Sequence, residues 1–235
     1  MARWGFFITF EGVEGSGKST LAAFLHQQLV ALGFPVVLTR EPGGTPVGEE
    51  IRQVLLRQGN EMEGWTEAFL FFAARYQHVR RVILPALQNG RIVISDRFSD
   101  STFAYQGYGR GVPLRLLQRF NKFASLRIQP HLTFLLDLPP EEGLKRKGQH
   151  HEALTRFEQE KLRFHQRIRE GYLKLAHRAK KRFRVLDGTQ PLEILQQQVL
   201  ETTLRRLREK GKYRGPIPPY HLNHSEQVQQ KEVEP

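Results

Sequence analysis

Residues 10–20 read FEGVEGSGKST, and within them Gly12 to Ser19 satisfy GxxxxGK[ST] at every specified position. The glycines let the backbone curl until several N–H groups point inward at one phosphate. Lys18 reaches outer phosphates, and the Ser19 hydroxyl suits a magnesium ion. Gly12, Val13, Glu14, Gly15, Ser16, Gly17, Lys18, Ser19 and Thr20 are therefore the candidate phosphate-binding residues. The context fits. Phe6–Phe10 reads as a short buried strand, and a helical pattern runs from Lys18 to about Leu32, so the loop opens onto a positive helix terminus. Glu14 is the odd member, a negative charge in a loop that attracts anions.

Outward from this loop, apolar strand runs alternate with helical patterns. Strands are expected at Pro35–Thr39, Arg91–Ser95, Leu132–Leu138 and, more weakly, Phe183–Leu186. Helices are expected over about 46–57, 64–88, 113–125, 152–181 and 191–210. This alternation predicts an α/β fold with a parallel sheet covered on both faces. From Gly211 the chain is polar, proline-rich and aperiodic, which reads as a flexible tail over 211–235. The 235 residues suit one domain with a substantial core, at 39% hydrophobic and 26% charged.

There is no cysteine, which excludes a disulfide scaffold and thiolate metal sites. The apolar run Phe6–Phe10 is too short for a signal peptide, and no run approaches the length of a membrane span. A cytoplasmic protein with no membrane partner is expected. The net charge of +12 is concentrated: residues 145–184 hold 14 Lys or Arg against 4 Glu. Such a stripe suits nucleic acid, an anionic surface or small phosphates, or is a solvated helix face.

A phosphate loop of this type works with a carboxylate at a neighbouring strand end. Asp96 follows one strand directly and is itself followed by Arg97, an anion binder, which makes it the preferred metal-directed acid. Asp137 is the alternative, although it also suits a helix cap before Leu138-Pro139-Pro140. Phe71 and Arg75 stand four apart in a helical pattern and so share a face, where they could stack on a base and bond its edge, or be a core phenylalanine beside a surface arginine.

These pieces occur in one order: the phosphate loop, Arg40-Glu41-Pro42-Gly43-Gly44-Thr45, Phe71-Phe72-Ala73-Ala74-Arg75, and the stretch Asp96 to Gly111 (DRFSDSTFAYQGYGRG). Then come Pro130-His131-Leu132-Thr133 and Thr155-Arg156-Phe157-Glu158. In this order the chain resembles the bacterial thymidylate kinases, P-loop nucleoside monophosphate kinases, over roughly residues 5–210. The resemblance implies a single domain over 1–210, a three-layer fold with a five-stranded parallel sheet in the order 2-3-1-4-5, and a mobile basic lid at about 145–156. It implies phosphorylation of dTMP by ATP with Mg²⁺, a homodimer, and no stable nucleic-acid partner. By position it assigns Phe71 to stacking on thymine and Arg75 to a thymine carbonyl, with Arg40 among the residues that bind the substrate. Arg97 falls on the acceptor phosphate and Tyr105 under the sugar. Ser101, Thr102 and Gln106 fall near the base edge, and Glu14 near the 3′-hydroxyl.

Some relatives carry an arginine inside the phosphate loop. This chain has Gly15 there. It thus resembles the type whose lid supplies the cations, with Arg156 and then Arg146 as the expected donors of charge to ATP. The chain departs from the family pattern at Thr155, His131 and Phe98, and its lid carries His150 and His151, read as exposed loop residues. A kinase for another nucleoside or nucleotide on the same fold, and a nucleic-acid-stimulated P-loop ATPase, are the competing readings.

Overall fold

The computed structural model describes residues 4–148, 155–213 and 215. In chain order it contains β1 (Phe6–Gly12), α1 (Lys18–Ala31), β2 (Val36–Arg40), α2 (Pro46–Leu56) and α3 (Gly64–His78). A π-helical stretch, Val79–Ile83, carries α3 on into α4 (Leu84–Gln88). Then follow β3 (Ile92–Asp96), α5 (Ser99–Thr102), a second π-helical stretch (Phe103–Gly109) and α6 (Leu114–Ala124). The chain continues with β4 (Leu132–Asp137), α7 (Pro140–Gly148), α8 (Leu162–Arg178), β5 (Phe183–Asp187) and α9 (Leu192–Glu209).

The five strands are parallel in the order β2-β3-β1-β4-β5, as the resemblance implied. The central strands β1, β3 and β4 are buried on both faces, and the edge strands β2 and β5 only in part. Phe6, Ile8 and Phe10 of β1 pack with Leu21, Leu25 and Leu29 of α1, and with Val199 and Leu204 of α9. Phe7 points the other way, into a cluster with Val79, Ile83 and Phe98. Leu135 shares that second face with Phe164, Ile168 and Tyr172 of α8 and its surroundings. The helical spacing of Leu21, Leu25 and Leu29 thus becomes one buried stripe.

The chain reverses direction across the sheet at β1, which lies between β3 and β4. Ligands bind beyond the carboxyl ends of strands at such a switch point. The register sets Arg40 beside Asp96, and Asp96 beside Phe10, immediately before the phosphate loop.

Two expectations are corrected, and one helical stretch had not been foreseen. The helix expected over 152–181 begins only at Leu162. Residues 155–160 instead form turns closed by the Thr155 N–H donating to Glu158 Oε2 at 2.6 Å, and Lys161 is extended. The polar stretch after β3 is helical from Ser99 to Gly109, which its glycines concealed. The expected tail is packed at its start: Tyr213 lies 5.8 Å from Phe34 between ring centroids, and Lys212 donates to the Trp4 carbonyl at 2.6 Å. The rest of it, 214 and 216–235, lies outside the described residues, as do lid residues 149–154 with His150 and His151. Among the described residues no helix is long and apolar enough to cross a membrane.

Candidate active site

The loop after β1 adopts the conformation its glycines allow. Gly15 and Gly17 have φ of 67° and 88°, in the region that L side chains avoid. Gly12 approaches β4 so closely that a Cβ there would lie 2.6 Å from the Leu136 carbonyl. Gly17 caps α1 without a side-chain bond, so the first N–H groups of the helix are left for an anion. Inside the loop the Ser16 hydroxyl donates to the Val13 carbonyl at 2.8 Å, and the Lys18 ammonium donates to the same oxygen at 2.6 Å. Burial, with Arg97 nearby, lowers the Lys18 pKa to about 8.

The Ser19 hydroxyl donates to Asp96 Oδ2, while Asp96 Oδ1 is buried without a hydrogen-bond partner. A hydroxyl and a carboxylate with spare lone pairs, beside a phosphate loop, are the donor set Mg²⁺ takes when waters and phosphate oxygens complete its shell. The residues present fit that ion. Asp137 does not compete, because Arg169 grips both its oxygens at 2.6 and 2.9 Å.

A cavity of about 680 Å³ opens beside the loop. Lys18, Ser19, Thr20 and Asp96 line it, as do Phe71, Arg75 and Gln106. Glu14, Arg97, Ser101 and Tyr105 line it too. Phe71 and Arg75 do share the cavity-facing side of α3. The alternative of a surface arginine is excluded, since Arg75 is 1% exposed. It donates from Nε to Glu41 (2.8 Å), from Nη1 to Asn121 (3.0 Å), and from Nη2 to the Phe98 carbonyl (3.2 Å) and Thr102 (2.9 Å). These four bonds leave one Nη1–H of the five guanidinium donors. Thr102 accordingly sits behind Arg75 rather than on the cavity wall.

Arg97 is a non-glycine residue at φ 71°. Such a conformation costs roughly 1–2 kcal/mol and persists only where neighbours fix it. Here the Arg97 N–H donates to the Phe10 carbonyl at 2.9 Å, Ser95 donates to the Arg97 carbonyl at 2.7 Å, and the Phe98 N–H donates to Glu11 Oε1 at 2.9 Å. The strained backbone aims the guanidinium at the loop, where Nη1 meets the Gly12 carbonyl at 3.0 Å and Nη2 meets Glu14 at 3.3 Å.

Glu14 is turned to this side of the loop, not toward the N-terminus of α1. Tyr105 donates to it at 2.5 Å, and His165 Nδ1 lies 3.5 Å away. Burial alone would raise its pKa, but His165, Arg97, Lys18 and Tyr105 together hold the carboxyl down at about 2. The misplaced charge of the sequence thus has four partners of the right kind.

The two lid arginines are separated. Arg146 lines the cavity with Lys147, donating to the Gly188 carbonyl at 3.1 Å. Arg156 does not line it. It donates to the buried Glu67 at 2.5 Å and to the Leu55 carbonyl at 3.3 Å, because a fully buried carboxylate needs cationic partners. Of the two arginines expected to supply charge to ATP, Arg146 lines the cavity and Arg156 does not.

Other site residues carried no motif. Arg52 on α2 lines the cavity, and burial and the like charge of Arg40 lower its pKa. Arg40, which the motif from Arg40 to Thr45 had already singled out, also lines the cavity and pairs with Glu49 at 2.9 Å. Tyr172 of α8 reaches Ser101 (2.8 Å), Glu11 (3.1 Å) and Arg97 (3.2 Å). Nothing local marked Arg52, Tyr172, His165 or Glu67.

The thymidylate kinase family model matches residues 10–199. The chain is 47% identical over 214 residues to a thymidylate kinase of Geobacter sp. (strain M21), covering 88% of this chain and 95% of the relative. It is 47% identical over 198 residues to a thymidylate kinase of Pelotomaculum thermopropionicum, covering 84% and 92% respectively. The crystal structure of thymidylate kinase from Ehrlichia chaffeensis superposes with a TM-score of 0.65 at 34% identity, covering 78% of this chain and 93% of that one. The chain belongs to the thymidylate kinase family.

Proposed function

We propose that the protein transfers the γ-phosphoryl group of ATP to dTMP, giving ADP and dTDP, a step toward dTTP. The observation that supports this reading is the shared cavity: the phosphate loop, Arg97 and the aromatic–arginine pair Phe71 and Arg75 all line it. An oxygen of the dTMP phosphate attacks the γ-phosphorus in line as the bond to the bridging oxygen of ADP breaks. That phosphate is already ionised at neutral pH, so no general base is required. Catalysis is alignment and charge stabilisation.

The loop N–H groups, Lys18 and the α1 terminus hold the donor. Ser19 and Asp96 would hold Mg²⁺, which when bound neutralises charge on the donor phosphates. Arg97, with Arg52 and Arg40, surrounds the acceptor phosphate, and Tyr105 and Glu14 face the sugar. Arg146 and Lys147 are the cations of the basic segment placed to meet ATP. Ser101 contributes through the buried bond it donates to Glu11, 2.6 Å long.

The protein acts as a cytoplasmic homodimer without a nucleic-acid partner. An exposed aromatic face on α3 and α6 supports a second copy: Phe69 and Phe120 meet edge to face at 5.3 Å, and Tyr76 stacks on the largely exposed Phe123 at 5.4 Å. Formation of dTDP from dTMP and MgATP, lowered about 10³-fold in Lys18→Ala, tests the reading. Turnover at the wild-type rate in that variant contradicts it.

A further inference from the structure

Glu67 carries a carboxylate with no exposed surface, on the helix that also carries Phe71 and Arg75. Its Oε2 accepts from Arg156 at 2.5 Å and from Arg110 at 3.4 Å. Its Oε1 accepts from Gln106 Nε2 at 2.7 Å, with Arg110 Nε at 3.5 Å. A carboxylate set between two guanidinium groups accepts hydrogen bonds and has none to give. The Gln106 amide must therefore turn its NH₂ toward Glu67. The opposite orientation would place two acceptor oxygens in contact inside a buried site.

Gln106 is itself fully buried yet borders the cavity. Its Oε1 is buried with no hydrogen-bond partner. The site thus presents a fixed acceptor on Gln106 and a spare donor on Arg75. That pair complements an imide edge, which offers a ring N–H and a carbonyl oxygen. Cytosine offers the reverse, a ring acceptor and an amino donor, and would leave both protein groups unpaired.

We propose that Glu67 is a positioning residue for base selection: it fixes the Gln106 amide with its oxygen toward the cavity, so that the site accepts an imide base and rejects cytosine. This rests on the dTMP reading above. Glu67 touches no substrate and acts only through Gln106, while Arg110 and Arg156 keep it in place.

The test is the ratio of kcat/KM for dTMP to that for dCMP, in wild type, Glu67→Gln and Glu67→Asp. Glutamine can either donate or accept toward Gln106. Aspartate keeps a carboxylate for the two arginines but falls one methylene short of Gln106, which protects folding. Both variants are expected to lower the ratio at least about tenfold, the size of one lost discriminating hydrogen bond. An equal fall for both nucleotides would make Glu67 merely structural and overturn the proposal. A wild type that does not prefer dTMP would instead refute the functional reading. Should neither variant fold, a crystal structure of the wild type with dTMP decides. Gln106 Nε2 must stay within hydrogen-bond reach of Glu67, and an amide swung away from it overturns the proposal.

Discussion

Gly15 and Gly143 meet backbone to backbone. A Cβ built on Gly15 would run into the Gly143 carbonyl, and one built on Gly143 would run into the carbonyl of Glu14. The phosphate loop thus rests directly on α7, the helix that carries Arg146 and Lys147 at its far end. No arginine fits at position 15 in this arrangement, which gives a steric reason for the absence of the loop arginine that some relatives carry.

The contact predicts an unusual outcome for Gly143→Ala. Alanine should favour the helix by about 1 kcal/mol, yet the collision with Glu14 displaces α7 from the loop. Overpacking of this kind costs about 1–3 kcal/mol. Melting temperature should fall slightly, and kcat/KM for MgATP should fall about 10- to 100-fold through misplacement of the loop and the basic segment. Thermal melts with ATP-saturation kinetics check this. Wild-type kinetics in the variant would show that the contact is incidental.

Lys18→Ala should lower kcat by about 10³-fold, the scale of losing a preorganised charge at the transferring group. Folding should survive. Below pH 8 the buried ammonium is a cost to the folded state, since its pKa is lowered from 10.5 to about 8. The folded protein binds fewer protons than the unfolded chain between those values, so this group's contribution improves as pH rises through that window. The variant should therefore melt no lower than wild type at pH 7. A collapse in melting temperature would assign Lys18 a structural role.

Glu11 makes the opposite pH prediction. Burial, with Asp100 nearby, raises its pKa from 4.5 to about 7. The folded state binds the extra proton, so the stability from this group is complete below pH 4.5 and is lost as pH rises through about 7. The loss is on the order of 3 kcal/mol. Urea denaturation of wild type and Glu11→Gln at pH 5 and pH 7.5 should show the variant gaining on wild type at the higher pH. A gap independent of pH would contradict the burial of Glu11 with Asp100 nearby.

The aromatic face predicts assembly. Phe123→Glu places a charge on the 71%-exposed ring that stacks on Tyr76. Sedimentation should show wild type as a dimer and this variant shifted to monomer, with its helical circular-dichroism signal unchanged. A dimer that persists would move the interface elsewhere.

What could be read in advance was what chain-local chemistry encodes. The glycine spacing of residues 12–17 and the apolar runs of the strands are local, and the structure keeps them to within two residues. The strand order came from resemblance, because periodicity does not say which strands pair. Arg156 shows the limit most plainly. Its place in a basic segment pointed to ATP, but its geometry is set by Glu67, 89 positions away. Tyr172 and His165 escaped notice for the same reason, since each is defined by partners on β1 or its loop. The expected extension of α8 ahead of Leu162 arose because a basic, charged stretch has helical composition, while the Glu158 carboxylate captures the Thr155 N–H in a local turn instead.

The central claim is tested most directly by steady-state turnover with MgATP and a panel of dTMP, dUMP, dCMP, UMP and thymidine. The account predicts the highest kcat/KM for dTMP, with dTDP and ADP formed in equal amounts and no stimulation of ATP hydrolysis by DNA. A higher kcat/KM for another acceptor, or ATP hydrolysis that needs nucleic acid, would contradict it.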